Sequence, residues 1–154
     1  MEKEDVVALE ERVLTQLQFD FNYPSSLTFL ERFLRLAEYH KHPAITQVSE
    51  DLLKVAATQS AFLDYRPSRI AAAVVVMAVS LCELKKHPSS SVTQVLRLKS
   101  TKQLPSFLET GIAFWTECLA LEARIQASDF IEPLILLAET AQSSPFFKDH
   151  ISAE

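Results

Sequence analysis

The chain has 154 residues, of which 48% are hydrophobic and 23% charged, and its formal net charge is −5. This length fits one domain with a substantial core, because about 70% of the unfolded surface can be buried on folding. The acidic balance argues against a nucleic-acid partner, since a phosphate backbone needs a cationic face. Gly111 is the only glycine, which excludes a glycine-rich phosphate loop or a dinucleotide fingerprint, and no cofactor is expected. Low glycine with abundant Leu, Ala, Glu, Gln and Lys predicts an all-α domain.

The first predicted helix carries an acidic first turn and an apolar stripe. The stripe consists of Val6, Leu9, Val13, Leu14 and Leu17. A helical residue before a proline clashes with it, so this helix is predicted to stop in the turn around Asn22-Tyr23-Pro24. A second helix follows and ends near His40, with an apolar face of Leu27, Leu30, Phe33, Leu34 and Ala37.

The middle of the chain predicts a buried central helix. A third helix is expected from about Ala44 to Leu63, and Pro67 is well placed as the first residue of the fourth. Ile70 to Val79 is apolar without interruption, and a helix that is hydrophobic all round belongs in the middle of a bundle. A buried strand is the alternative for its valine run, but the length and the proline start favour a helix.

The segment from Lys85 to Leu108 is basic and contains no acidic residue. Its five cations are Lys85, Lys86, Arg97, Lys99 and Lys102. The rest of the chain is then strongly acidic, so this segment is a candidate docking arm for an acidic partner surface. A flexible, solvated loop is the alternative.

The last part of the sequence is again helical in pattern, from Phe107 through Arg124. Ser128 or Asp129 can cap a final helix, whose stripe is Phe130, Leu134, Leu137 and Ala138. Residues 143–154 are expected to form a flexible tail. Ser144 precedes a proline, the minimal form of a proline-directed phosphorylation site, although such dipeptides also arise by chance.

Two further features of the sequence concern the cellular compartment of the protein. The longest apolar run, Ile70 to Leu81, is shorter than the roughly 20 residues of a membrane span, and the acidic start MEKED differs from a secretory signal. Cys82 and Cys118 lack CxxC spacing and lie in apolar stretches, which predicts buried thiols, with a redox or metal role as the alternative. An intracellular location, nucleus or cytoplasm, is the corresponding expectation.

Three stretches of the sequence resemble segments of cyclins, and they occur in the same order as in the cyclin family. Residues 11–33, "ERVLTQLQFDFNYPSSLTFLERF", resemble the junction that opens the C-terminal box of cyclins, most like the mitotic A/B group. Residues 62–78, "FLDYRPSRIAAAVVVMA", resemble the start of the third, central helix of that box. Residues 115–138, "WTECLALEARIQASDFIEPLILLA", are similar to its fourth and fifth helices.

The resemblance implies one cyclin-box-type bundle over residues 1–142, with five core helices, an N-terminal helix and an insert at about 85–114. It also implies that the Phe19-Asp20-Phe21 strip lies along the bundle and plugs its end. Two features depart from the family pattern. The first box, which carries most of the kinase contact, has no counterpart here, and the insert replaces a short loop between the third and fourth helices.

No pattern in the sequence predicts catalysis. His40 and His42 flank a lysine without further metal-ligand partners, and no serine has a GxSxG setting. The expectation is therefore a non-catalytic subunit that, by resemblance, acts with a Ser/Thr kinase of the cyclin-dependent type. The alternative is a stand-alone structural subunit of a larger assembly with no kinase.

The first helix is the expected site for a protein partner. In two-box cyclins the second box packs against the first, so a box alone should leave apolar surface uncovered near Val6, Val7 and Leu9. A heterologous protein is the predicted cover. The insert folding back and a second copy of the chain are the alternatives.

Overall fold

The computed structural model describes residues 3–86 and 108–143, and within these ranges the chain is helical and contains no strand. The prediction of an all-α fold is confirmed. The helices are α1 (Lys3–Gln16), α2 (Ser26–Leu36), α3 (Pro43–Ala57), α4 (Pro67–Lys86), α5 (Glu109–Phe114), α6 (Ala120–Ala123) and α7 (Ala127–Ser143). A π-helical turn, Trp115–Leu119, joins α5 to α6. Because these three form one continuous helix, the described residues comprise an N-terminal helix and five core helices.

Helix α4 is the centre of the bundle. Its residues 71–78 are fully buried, and α2, α3, α5 and α7 all pack against it. The helix begins at Pro67, as predicted, where the missing N–H is not needed. The prediction of a central helix is confirmed, and the alternative of a buried strand is wrong.

Helix α2 begins with a side-chain cap. The Ser25 hydroxyl oxygen accepts a hydrogen bond from the Thr28 amide at 3.4 Å, which satisfies one of the free amides of the first turn. Leu30, Phe33 and Leu34 form the buried face. Leu27 is 47% exposed. It is the second residue of α2 and does not belong to the buried face.

Helix α3 is shorter than predicted. It ends at Ala57 rather than near Leu63, and Ser60–Asp64 forms a separate 3-10 turn. The break follows from Gln59, which adopts an extended conformation (φ −112°, ψ 122°). The turn buries Phe62 and leaves Leu63 in solvent.

Helix α5 approaches α4 closely at Gly111. The Gly111 amide donates a hydrogen bond to the buried hydroxyl of Ser80 at 3.2 Å. That hydroxyl in turn donates to the Val76 carbonyl at 2.8 Å. A Cβ at position 111 would collide with both the Val76 carbonyl oxygen and the Ser80 hydroxyl. The chain's only glycine therefore allows two helix backbones to meet.

The ends of the predicted insert belong to helices. Lys85 and Lys86 are the last two residues of α4, and Glu109–Phe114 is α5. The interval between these helices, 87–108, is shorter than the predicted 85–114. Residues 87–107 lie outside the described residues.

Three aromatic rings fill the bundle between α2, the π-helical turn and α7. Trp115 meets Phe33 with ring centroids 5.1 Å apart and Phe130 at 5.2 Å, both edge to face. All three are buried. Edge-to-face pairs of this kind add about 0.5–1.5 kcal/mol to the effect of burial alone. These rings link the outer helices around α4.

Helix α7 begins at Ala127, so Ser128 and Asp129 are inside it and not ahead of it. Asp129 lies in the first turn, where its Oδ2 accepts a hydrogen bond from the Gln126 amide at 2.9 Å. This is the reciprocal half of a capping box. The predicted N-cap position was wrong, although Asp129 does satisfy the backbone at this helix start.

The two cysteines differ in exposure. Cys82 is half-buried in α4, whereas Cys118 is exposed. The prediction of a buried thiol is therefore wrong for Cys118. It lies on the outward side of the π-helical turn, because Trp115 and Leu119 occupy the inward positions.

Candidate protein-interaction site

Exposed apolar side chains are concentrated at the N-terminal end of the described chain. Of the twelve large apolar side chains that are exposed within the described residues, nine lie between Val6 and Leu27. They are Val6, Val7, Leu9, Val13, Leu17, Phe19, Phe21, Tyr23 and Leu27. We call these nine side chains the N-terminal apolar surface. A concentration of exposed apolar side chains is typical of a site for a protein partner or a membrane.

Helix α1 presents much of this surface. Val7 and Leu9 are each 56% exposed, and Val6 is 37% exposed. No other described helix packs extensively against α1. The stripe predicted from sequence is present, but within the described residues it is not covered by the bundle.

The end of α1 is set by a backbone motif that the sequence analysis missed. The Phe19 amide donates to the Leu14 carbonyl at 3.0 Å, and the Gln18 amide donates to the Thr15 carbonyl at 3.1 Å. This pair of bonds is a Schellman motif, with Gln18 at the left-handed position that glycine usually occupies; its φ is 52°. The helix therefore ends at Gln16 and not in the predicted turn before Pro24.

The aromatic strip after α1 does not plug the bundle. Phe19 is 66% exposed, Phe21 59% and Tyr23 76%, so the expectation drawn from the resemblance is wrong. The aromatic positions inside the bundle are occupied by Phe33, Trp115 and Phe130 instead. The Asn22 amide donates to the Asp20 carboxylate at 3.0 Å, which fixes a local turn. The strip thus continues the N-terminal apolar surface.

The basic residues predicted to contact a partner are only partly described. Lys85 and Lys86 end α4, whereas Arg97, Lys99 and Lys102 lie outside the described residues, as does Ser144. The position of this cationic set relative to Val6, Val7 and Leu9 therefore stays a prediction.

The described residues contain no group suited to metal binding, since no three His, Cys, Asp or Glu side chains are close enough together. Lys54 on α3 has a pKa raised above its usual value by the hydrogen bond to Asp51, at 2.8 Å, and by the charge of that carboxylate. A catalytic lysine needs the opposite shift, so that it can lose its proton near neutral pH. Lys54 is accordingly a surface ion-pair partner.

Comparison with known proteins identifies the bundle. The family described as "Cyclin, C-terminal domain" matches residues 24–146. This chain belongs to the family of cyclin C-terminal domains. The match begins at residue 24, so α1 and most of the N-terminal apolar surface precede the part of this cyclin domain that the family describes.

Curated relatives include plant and animal cyclins. A putative cyclin-A3-1 of Arabidopsis thaliana is 32% identical over 91 residues, which are 56% of this chain and 25% of that protein. Cyclin-A2-1 of the same plant is 32% identical over 93 residues, 58% of this chain and 21% of the relative. The G2/mitotic-specific cyclin-B3 of Mus musculus is 30% identical over 83 residues, which are 54% of this chain and 6% of that protein. The matches thus span a quarter or less of each relative.

The predicted resemblance to A- and B-type cyclins is confirmed by these matches. No solved structure matches this cyclin domain. None of its described helices is long and apolar enough to cross a membrane.

Proposed function

We propose that the chain is a non-catalytic regulatory subunit of the cyclin type, which binds a Ser/Thr kinase of the cyclin-dependent type and acts in the nucleus or cytoplasm. The observation that carries this proposal is the N-terminal apolar surface, which the described helices of the cyclin C-terminal domain leave uncovered. A subunit that regulates by binding needs such a surface, whereas it needs no catalytic group.

The partner surface on α1 combines apolar and acidic residues. Glu4 and Asp5 lie in the first turn, and Glu10 and Glu11 follow Val6 and Val7 by four residues, about one turn. Interfaces of this composition bury the apolar centre and place charges at the rim. The partner is therefore a heterologous protein with an apolar patch bordered by Lys or Arg.

A second copy of the chain is a poorer cover. Two α1 helices would bring their acidic residues together, and like charges across an interface oppose association. The insert folding back remains an alternative cover, because its five cations complement the acidic residues of α1. The same cations, Lys85, Lys86, Arg97, Lys99 and Lys102, form a second contact in this proposal, with an acidic region of the partner.

The alternative function is that of a structural subunit in a larger complex without a kinase. The family match covers a C-terminal cyclin domain, whereas in two-box cyclins the first box carries most of the kinase contact. Both functions use the N-terminal apolar surface, and they differ in the partner's identity.

Purified cyclin-dependent-type kinases test the proposal. Binding is measured by calorimetry with the full chain, and kinase activity is measured in the same mixtures. We expect saturable binding to one such kinase, with a change in its activity. The double variant Val7→Glu, Leu9→Glu should weaken that binding by about tenfold or more, because it buries two new charges against apolar surface.

Leu121→Glu is the matched control. Leu121 is 92% exposed on α6 and lies outside the N-terminal apolar surface, so the same change of charge there should leave binding unaltered. If the full chain binds no kinase of the panel, the kinase role is wrong. If Leu121→Glu weakens binding as much as the double variant, the interface is not on α1.

A further inference from the structure

Four of the chain's seven arginines line one surface pocket. The pocket has a volume of about 380 Å³ and lies where α2, the start of α4 and the loop before α7 meet. Its arginines are Arg32, Arg66, Arg69 and Arg124, and Asp129 is the only carboxylate among its described lining residues. We call it the arginine pocket. Such a concentration of positive charge is unusual in a chain whose net charge is −5.

Most of this charge is not neutralised within the described residues. Arg69 pairs with Asp129, with Nη2 to Oδ1 at 3.2 Å. Among the described residues, Arg32, Arg66 and Arg124 form no ion pair. Within the described part of the chain, three guanidinium groups of the pocket therefore have no ion-pair partner, and each can donate several hydrogen bonds in a planar fork.

The wall of the pocket is held in place by hydrogen bonds. Arg124 has a left-handed conformation, with φ at 55°, and begins the loop into α7. The Trp115 indole N–H donates to the Ile125 carbonyl at 2.9 Å. Asp129 accepts from the Gln126 amide at 2.9 Å while it also holds Arg69. A loop fixed from both sides loses little conformational freedom when a ligand binds.

We propose that the arginine pocket binds the phosphate group of a phosphorylated serine or threonine in a partner protein. A phosphate dianion offers three acceptor oxygens, which match the guanidinium forks better than one carboxylate does. Phe29 and Ile125, both half-buried at the pocket, can pack against residues that flank the phosphoryl group. A nucleic acid is a poorer ligand, because it needs a cationic stripe on a chain that is acidic overall.

We infer that the ligand belongs to another polypeptide. Asp129 of the pocket lies in the first turn of α7, whereas Ser143 is the last residue of that helix. The two ends of the helix are roughly 20 Å apart, so the end of α7 that precedes the predicted phosphorylation site Ser144 is distant from the pocket. None of the pocket's lining residues belongs to α1, and the inference holds whether or not the partner at α1 is a kinase.

A peptide library tests the proposal with the full chain. The probe is a set of fluorescent peptides with a fixed central phosphoserine and random flanking positions, and a matched set has serine at the centre. We expect the chain to enrich phosphorylated peptides over unphosphorylated ones. For an enriched peptide, anisotropy should give saturable binding that weakens as the pH falls through about 6, where the phosphate gains a proton. The same peptide with glutamate in place of phosphoserine should bind weakly at either pH.

Arginine variants locate the binding. Arg66→Ala or Arg124→Ala should each raise the Kd by about tenfold, as expected for loss of a charge-assisted hydrogen bond. Arg35→Ala is the matched control, because Arg35 is an exposed arginine of α2 outside the pocket, and it should change the Kd less than about twofold. Circular dichroism establishes that each variant is folded.

Two results would overturn the inference. One is equal recovery of phosphorylated and unphosphorylated peptides. The other is an effect of Arg35→Ala as large as that of Arg66→Ala, which would indicate general attraction to positive charge and not a pocket.

Discussion

Gly111 illustrates how one residue can set the distance between two helices. Its φ is not in the left-handed region, so no special backbone conformation requires a glycine there. The requirement comes from space, because the position faces the Val76 carbonyl and the Ser80 hydroxyl of α4. From the sequence alone, a single glycine only excludes a glycine-rich phosphate loop or a dinucleotide fingerprint. Its packing role depends on a contact between residues 31 positions apart.

Gly111→Ala should destabilise the protein by about 1–3 kcal/mol, because the added methyl group forces α5 away from α4. Thr110→Ala is the control, since position 110 is exposed on the same helix and should change stability by less than about 0.5 kcal/mol. Urea unfolding followed by circular dichroism measures both. In an open helix, Gly→Ala stabilises by up to about 1 kcal/mol, and that outcome would mean the helices are not in close contact.

At the scale of the elements, α4 supports the rest of the bundle. Four helices pack against it, and its small alanines let them approach. A proline and an uninterrupted apolar run were enough to predict its start and its central position. Apolar periodicity overestimated the length of α3, because the period continues through Phe62 while the backbone changes to a 3-10 turn.

Val75→Asp should unfold the domain, since an unpaired buried charge costs about 3–5 kcal/mol, a large part of a typical stability of about 5–15 kcal/mol. Ala72→Leu should cost about 1–3 kcal/mol through overpacking. Both positions are fully buried. Thermal melting provides the measurement, with Leu121→Asp as a surface control for the added charge. If Val75→Asp had the same melting temperature as Leu121→Asp, α4 would not be the centre of the bundle.

At the scale of the whole molecule, the apolar residues are divided between a closed core and an open surface. The core surrounds α4, and the nine side chains of the N-terminal apolar surface lie apart from it. This division supports a subunit that is completed by a partner. The arginine pocket is a second, chemically different surface, built from α2, α4 and the loop before α7.

The isolated chain should bind a neutral hydrophobic dye such as Nile red, because its N-terminal apolar surface is uncovered. Val7→Glu, Leu9→Glu should lower the fluorescence, whereas Leu121→Glu should leave it nearly unchanged. Light scattering on the same samples measures whether a second copy covers the surface. A monomer that binds no dye would contradict the uncovered surface, and a stable dimer that α1 variants dissociate would favour self-association.

Local patterns in the sequence were sufficient for the fold class, the central helix and the family. Apolar periodicity, proline positions and short motifs such as "RPSRIAAA" depend on neighbouring residues, which interact within one helix or turn. The exposed state of Val6, Val7 and Leu9 also follows the expectation from sequence, although their role in binding stays a prediction.

Only the tertiary structure decided which apolar residues enter the core. Phe21 and Phe33 are the same residue type, yet one is exposed and the other meets Trp115. Arg32, Arg66 and Arg124 are far apart in sequence and line the same pocket. The physical reason is that burial and charge clustering depend on contacts between distant helices, and these contacts have no local period in the sequence.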